Sequence, residues 1–434
     1  MKIKKTSYNR REFVKKSSYA VAGTSLIHPA SYAYTNTFNT SSNHLKVGLI
    51  GCGGRGTGAA AQAMSAGKDI KLTAMADVFE DRLESSYSEL LKISSNQVKV
   101  EKKNKFIGFD AYQKVLASDV DVIILTTPPA FRPAQFKAAI EAGKHVFCEK
   151  PMAVDAPGVR SILESAKKAK AKNLNVVAGF TYRFGWGNRA IFDKINTGAI
   201  GNIRSVTTFR YGGELWYKER QPNWTDMTYQ MRNWYYYNWL SGDFIVEQAV
   251  HSLDLMSWAM GDVIPVSAVG TGGRQKRTDP KYGNIYDHFS VEFTYPNGAK
   301  GYHFTRQQAD TDTRNSVDVF GTRGIAEIHP GRKYEIRGEE NWAYNEEENN
   351  MYQTQHDELF HAIHKGETIN HGEQMAHSSM LAIWARMAAY SGKDISWDEA
   401  LSSNISLGPD NDAYDWNLKW PSPSIAVPGK TKVL

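Results

Sequence analysis

The chain has 434 residues, of which 41% are hydrophobic and 23% charged. This composition is typical of folded globular proteins and excludes the disordered and collagen-like classes, and the length predicts two or three domains. The net charge of +6 arises wholly within residues 1–33, and the remaining chain is neutral, which argues against a nucleic-acid-binding protein.

The N-terminal segment is predicted to be an export signal. Arg10 and Arg11 form a twin-arginine pattern, followed by a mildly apolar stretch and small residues up to Ala33. This order predicts a twin-arginine signal peptide over 1–33 and a periplasmic or secreted protein, the alternative being a disordered basic tail. Residues 34–45 read as an arm or linker. The sequence contains no run of about 18 apolar residues, so no permanent membrane span is predicted. Two cysteines cannot form a disulfide framework.

Residues 46–180 are predicted to form a doubly wound parallel sheet. Apolar runs alternate with amphipathic segments, which is the pattern of βαβ units. The expected strands are 47–50, 70–76, 122–125, 145–148 and 176–179, and the expected helices are 56–66, 79–92, 133–142 and 156–171.

Residues 181–345 are predicted to form a second α/β domain with a large open, mainly antiparallel sheet. A helix over 189–196 and a strand over 203–211 come first, then an aromatic-rich loop and a helix over 242–260. Alternating strands follow at 267–271, 287–294, 300–305, 316–320 and 325–328, punctuated by Gly and Pro. Residues 346–434 are expected to be C-terminal helices (356–364 and 373–391) and a tail that pack on both domains.

A glycine-rich turn predicts a dinucleotide site. The sequence Gly51-Cys52-Gly53-Gly54-Arg55-Gly56 follows the first strand and opens a helix, where backbone N–H groups can hold a pyrophosphate. Asp77 stands 21 residues beyond Gly56, in position to accept hydrogen bonds from ribose hydroxyls, which favours NAD over NADP. The alternative is a glycine-rich turn without a ligand.

Two further segments end neighbouring strands at the edge where such sheets bind their cofactor. Thr126-Thr127-Pro128 follows one strand and Glu149-Lys150-Pro151 follows the next. A lysine there can polarise a substrate hydroxyl; the alternative is an ion-paired surface lysine.

Glu247, His251 and Asp254 have the spacing i, i+4, i+7, which places them on one face of a helix. Histidine is suited to acid–base chemistry near neutral pH, although an isolated histidine can equally be a packed core residue.

Eleven aromatic residues lie between Phe209 and Trp239, and flat rings stack on the C–H faces of sugars. The alternative is that these rings fill a core or an oligomer interface. The histidines at 356, 361 and 364 are expected on a solvated helix face rather than at a metal site, so no metal is predicted.

These motifs, in this order, resemble the Gfo/Idh/MocA family of sugar oxidoreductases. The resemblance is carried by Gly51–Gly56, Thr127-Pro128, Ala142–Pro151, Tyr182-Arg183-Phe184, Thr197–Gly201 and Gly242–Asp254. It implies a Rossmann domain, a C-terminal α/β domain often used in oligomerisation, and hydride transfer between NAD(P) and a sugar carbon. It also implies that Lys150 is the lysine of the site and His251 the proton acceptor, while Glu247 stands where many members have Asp.

Together these observations predict the site. The catalytic residues are expected to be Lys150, His251 and Glu247. The cofactor-binding residues are expected to be Gly51, Gly53, Gly54, Arg55, Gly56, Asp77, Thr126, Thr127, Pro128, Glu149, Lys150 and Arg183. The substrate-binding residues are expected to be Lys150, Tyr182, Arg183, Trp186, Trp234, Glu247, His251 and Asp254.

The interpretation is an exported oxidoreductase with tightly bound NAD, acting on a sugar or glycoside as a homo-oligomer (dimer or tetramer). The first alternative is an NAD-dependent, redox-neutral glycoside-cleaving enzyme, and the second is a non-catalytic sugar-binding protein.

Overall fold

The computed structural model describes residues 44–410, 413–421 and 424–434. The predicted signal peptide and nearly all of the predicted arm lie outside this part of the chain, and both stay predictions. No helix among the described residues is both long enough and apolar enough to cross a membrane.

The first half of the described chain forms a six-stranded, entirely parallel sheet in the order β3-β2-β1-β4-β5-β6. Apart from the short edge strand β3, its strands are largely buried apolar runs flanked by helices, as parallel sheets require. The strands are β1 (Leu45–Ile50), β2 (Ile70–Asp77), β3 (Lys105–Ile107), β4 (Val122–Leu125), β5 (His145–Cys148) and β6 (Val176–Ala178). The helices are α1 (Gly54–Ser65), α2 (Glu80–Ser94), α3 (Ala111–Ala117), α4 (Arg132–Glu141) and α5 (Ala156–Ala171).

The second half builds a nine-stranded sheet in the order β14-β13-β12-β11-β7-β10-β9-β8-β15. All neighbours are antiparallel except β7 and β10, which are parallel. The strands are β7 (Ile203–Gly212), β8 (Ser267–Gly273), β9 (His288–Thr294), β10 (Lys300–Gln307), β11 (Arg314–Gly321), β12 (Gly324–His329), β13 (Lys333–Gly338), β14 (Trp342–Ala343) and β15 (Ile395–Ser396). The predicted fold class is therefore confirmed.

The remaining helices pack around these two sheets. They are α6 (Trp186–Asn196), α7 (Asp226–Arg232), α8 (Asn238–Ser241), α9 (Phe244–Glu247), α10 (Val250–Ala259), α11 (Met351–Lys365), α12 (Gly372–Ser391) and α13 (Trp397–Ser402). Helix α12 is buried along almost its whole length and contacts both α5 and β8. It therefore lies between the two sheets and ties one to the other.

The largest correction concerns the predicted helix over 242–260. The chain forms two helices instead, α9 and α10, separated by Gln248 and Ala249. Asp243 precedes α9 with a φ of 73° and its side chain caps Phe244 N at 2.5 Å. Glu247 and His251 therefore belong to different helices.

Candidate active site

The glycine turn after β1 can be built only from glycine at its two ends. Gly51 has a φ of +97°, and a Cβ added there would lie 2.7 Å from Thr127 N. A Cβ on Gly56 would lie 1.9 Å from Gly51 O, so no other residue fits between strand and helix. Gly53 caps α1 in an extended conformation, and no side chain caps the helix N–H groups. These free donors form an anion-binding helix N-terminus.

Asp77 ends β2 beside this turn. Its Oδ2 accepts a hydrogen bond from Cys52 N at 2.7 Å and its Oδ1 accepts one from Phe79 N at 2.9 Å. Burial raises the pKa of Asp77 from its ordinary value, against the lowering effect of these two bonds and of Arg82. Each carboxylate oxygen keeps a second lone pair, so Asp77 can brace the turn and still accept a ribose hydroxyl.

A cavity of about 520 Å³ runs along this edge of the parallel sheet. Nine of the predicted cofactor residues line it, namely Gly51, Gly53, Gly54, Arg55, Gly56, Asp77, Thr126, Thr127 and Pro128. Four residues of the second half also line it, namely Trp216, Lys218, Met231 and Trp234. Trp234 thus lies on the cofactor cleft.

The predicted residues Glu149 and Lys150 lie beside the cavity rather than in its lining. The carboxylate of Glu149 is buried and accepts a hydrogen bond from Arg55 Nε at 2.6 Å. Because Arg55 itself lines the cavity, this ion pair fixes the first turn of α1 against the end of β5.

Lys150 is held by Glu247, 97 residues later in the chain. Its Nζ donates to Glu247 O at 2.5 Å and to Glu247 Oε1 at 3.1 Å. The side chains are only 12% and 11% exposed. Glu247 is the last residue of α9, and its carbonyl and its carboxylate both face the Lys150 ammonium.

His251 stands at the start of α10 in a desolvated position. Burial lowers the pKa of His251 well below its usual value, and the nearby cations of Lys150 and Arg210 lower it further. Its ring lies 5.2 Å from that of Tyr182. Nδ1 is buried and has no hydrogen-bond partner within the described ranges, which leaves Nε2 as the nitrogen available to a ligand. The imidazole is therefore neutral at pH 7 and able to accept a proton.

Two polar residues that the sequence did not single out complete this region. Arg210 on β7 donates to Gln248 at 3.3 Å, and Asn315 on β11 donates to the hydroxyl of Tyr182 at 2.9 Å. The period of two along β7 contained the signal for Arg210, because the alternation places Val206, Thr208 and Arg210 on one face.

The structure does not bring Arg183, Asp254 or Trp186 to the cavity. Arg183 forms ion pairs with Asp254 at 2.9 Å and with Asp262 at 2.7 Å. Asp254 is only 1% exposed and also accepts hydrogen bonds from Ser378 and Gln374. These residues form a buried ionic cluster, whereas the Trp186 side chain is half exposed on α6.

The expected solvated histidine face on the C-terminal helix needs a correction. His356 of α11 is fully buried, with its ring 4.2 Å from that of Phe147, because this face of α11 packs on the parallel sheet. His361 and His364 are exposed as expected. Within the described parts of the chain no cluster of His, Cys, Asp or Glu side chains is arranged to hold a metal ion.

The chain matches two family models, and it resembles several proteins of known activity or structure. Residues 45–177 match the oxidoreductase family with the NAD-binding Rossmann fold, and residues 189–327 match the GFO/IDH/MocA C-terminal domain. Inositol 2-dehydrogenase of Rhizobium meliloti is 26% identical over 67% of this chain and 78% of its own length.

Two solved structures show the same fold. An aldose-aldose oxidoreductase from Caulobacter crescentus superposes with a TM-score of 0.63 at 20% identity, covering 81% of this chain and 99% of that one. A levoglucosan dehydrogenase in complex with NADH and levoglucosan gives 0.63 at 16% identity, with coverage of 81% and 99%. The two matched domains together show that the chain belongs to the Gfo/Idh/MocA family of oxidoreductases with an NAD-binding Rossmann fold.

Proposed function

We propose that this protein is an exported oxidoreductase that moves a hydride between the hydroxyl-bearing carbon of a sugar or glycoside and an NAD that stays bound through turnover. The names of its relatives support a polyhydroxylated substrate, since they include an inositol dehydrogenase, a levoglucosan dehydrogenase and an aldose-aldose oxidoreductase. The observation that carries the proposal is the pinned ammonium of Lys150 beside the neutral imidazole of His251.

Each side chain then has a distinct part in the reaction. Bound NAD supplies a nicotinamide carbon that accepts the hydride. His251 takes the hydroxyl proton at Nε2, which a partly buried, neutral imidazole can do without first losing a proton of its own. The ammonium of Lys150 stabilises the negative charge that develops on the substrate oxygen. Glu247 keeps that ammonium in one orientation, and its negative charge offsets the cost of burying it.

The glycine turn and Asp77 hold the other end of the cofactor. The open N–H groups of α1 meet the pyrophosphate, and the carboxylate of Asp77 accepts from a ribose hydroxyl and repels a 2′-phosphate.

A single-turnover experiment tests the captive cofactor and the chemistry together. The purified protein is mixed with a panel of sugars and aryl glycosides without added NAD, and its absorbance is followed. We expect NADH to appear up to one equivalent per chain and to disappear when a keto sugar is added. Catalytic release of the aglycone without net NADH would support redox-neutral cleavage instead. No absorbance change and no product across the panel would contradict both enzymatic proposals.

Export is tested separately in the native host. The double substitution Arg10→Lys, Arg11→Lys removes the twin-arginine pattern and keeps the charge. We expect the wild-type protein in the periplasmic or secreted fraction and the variant in the cytoplasm. Equal distribution of the two forms would contradict export by this route.

A further inference from the structure

The described tail contains a segment, residues 413–421, that reaches back to the cofactor cleft. We call these residues the tail segment. They form neither helix nor strand, yet their aromatic side chains pack into the body of the protein. Three rings of the parallel-sheet half, Phe79, Phe109 and Phe131, line the cavity. We call these three rings the aromatic wall. Phe79 and Phe109 follow the ends of β2 and β3 near Asp77, where the adenosine half of a dinucleotide belongs, and Phe131 follows the end of β4.

The tail segment covers the back of this wall. Trp416 lies 5.2 Å from Phe79 and 4.7 Å from Phe109, ring centre to ring centre. Tyr414 lies 5.6 Å from Phe109 and 4.9 Å from Phe131. These distances fall in the range of favourable aromatic pairs, so two side chains of the tail contact all three rings of the wall.

The tail segment is itself fastened to the second half of the molecule. Thr225 Oγ1 donates to Trp416 O at 2.6 Å, and Gln230 Nε2 donates to Trp420 O at 3.0 Å. Trp239, which is fully buried, stacks on Tyr414 with ring centres 6.2 Å apart. The wall therefore has a support that belongs neither to the parallel sheet nor to its helices.

Arg232 of α7 adds a second fastening at the same place. Its guanidinium lies 3.7 Å from the centre of the Phe79 ring. Both of its Nη atoms donate to the carboxylate of Asp81 at 2.7 Å. This fork is a geometrically specific pairing, and it joins the second half of the chain to the residues directly after Asp77.

We propose that Trp416 and Tyr414 are cofactor-positioning residues, which act through the aromatic wall to keep the adenosine half of NAD from leaving between turnovers. If the wall moves outward, the adenosine subsite opens, and the tail contacts must break first. This proposal rests on the captive cofactor of the proposed function, and it gives that property a physical cause in this chain.

The test measures cofactor release rather than activity. Protein loaded with NAD is mixed with excess ADP-ribose, and the NAD that remains bound is measured by mass spectrometry over time. We compare wild type with Trp416→Ala, Tyr414→Ala and Trp416→Phe. The matched control is Trp342→Ala, which removes a half-buried tryptophan at the far edge of the nine-stranded sheet.

We expect each alanine variant of the tail to release NAD about tenfold faster than wild type and the control, which corresponds to about 1.4 kcal/mol. Trp416→Phe should restore most of the retention, and the KM for added NAD should rise more than kcat falls. Equal release rates for wild type and both alanine variants, with unchanged thermal unfolding, would overturn the role of the tail. Fast release of NAD from wild type would contradict the captive cofactor instead. The ratio of the variant release rate to the wild-type release rate would still test the role of the tail segment.

Discussion

The protonation of His251 leads to a prediction about the pH dependence of sugar oxidation. A histidine with the ordinary pKa of 6.5 is about 90% neutral at pH 7.5 and about 10% neutral at pH 5.5. An enzyme that depends on it as a base would lose about tenfold in kcat/KM over that interval. Burial, Lys150 and Arg210 hold the pKa of His251 well below that value, so it stays neutral and can still accept a proton.

We therefore expect kcat/KM to change less than twofold on the acid side between pH 7.5 and 5.5. The measurement is initial rates with saturating added NAD, with the unfolding temperature recorded at each pH. The substitution Arg210→Gln removes one of the two cations, so the acid limb should move towards pH 6.5 without reaching it, since burial is the largest cause. A wild-type profile with an apparent pKa near 6.5 in the intact protein would refute this account of the site.

The remaining predictions concern the catalytic pair, the ionic cluster and acid stability. Lys150→Ala and His251→Ala should each lower kcat by about 10²–10⁴-fold while NAD stays bound, as measured by steady-state kinetics and mass spectrometry of the bound cofactor. Arg183→Gln should lower the free energy of unfolding by about 3 kcal/mol and leave the KM for NAD within twofold, because its guanidinium faces two carboxylates outside the cavity. The folded state lowers the pKa of several buried histidines, so their contribution to stability is complete above about pH 6.5 and is lost as the pH falls towards 4. These histidines are His145, His303 and His371, with pKa values of about 4, 3 and 4. Each should lower the free energy of unfolding at pH 5.5 by about 1.4 kcal/mol relative to pH 7.5. Urea denaturation at the two pH values measures this difference.

The parallel sheet could be predicted from the sequence to within a residue or two for five of its six strands. Those strands are buried apolar runs next to glycine-rich or Thr-Pro turns, and both signals are local. Strand β3 was missed because its three residues, Lys105–Ile107, are too short for a periodic pattern and follow a run of lysines. The glycines of the turn after β1 could be predicted because the backbone there requires residues without a Cβ. Glycine is the one residue that meets this requirement, and it is visible directly in the sequence.

The parts of the site that could not be predicted depend on contacts between distant segments. Gln248 and Ala249 are both good helix formers, so the sequence does not predict the break that separates Glu247 from His251. The sequence predicted that Arg183 binds cofactor and substrate, and that Asp254 faces the substrate because of its helical spacing with Glu247 and His251. In the structure Arg183 pairs with Asp254 and with Asp262, because a buried charge is stable only when it is paired. Nothing in the spacing of Trp416 indicates that it packs on Phe79.

The break in the helix links the fold to the chemistry of the site. A continuous helix would place Glu247 and His251 one above the other on one face. With two short helices in its place, Lys150 has two acceptors from one residue, a carbonyl at 2.5 Å and a carboxylate at 3.1 Å, and its ammonium is fixed in direction as well as in charge. A glutamate at this position, one methylene longer than aspartate, can reach the ammonium from the last residue of α9. The departure from the aspartate that many members carry is thus consistent with the local backbone, and Glu247→Asp should loosen the lysine more than Glu247→Gln, because the shorter side chain loses the contact and the amide keeps it.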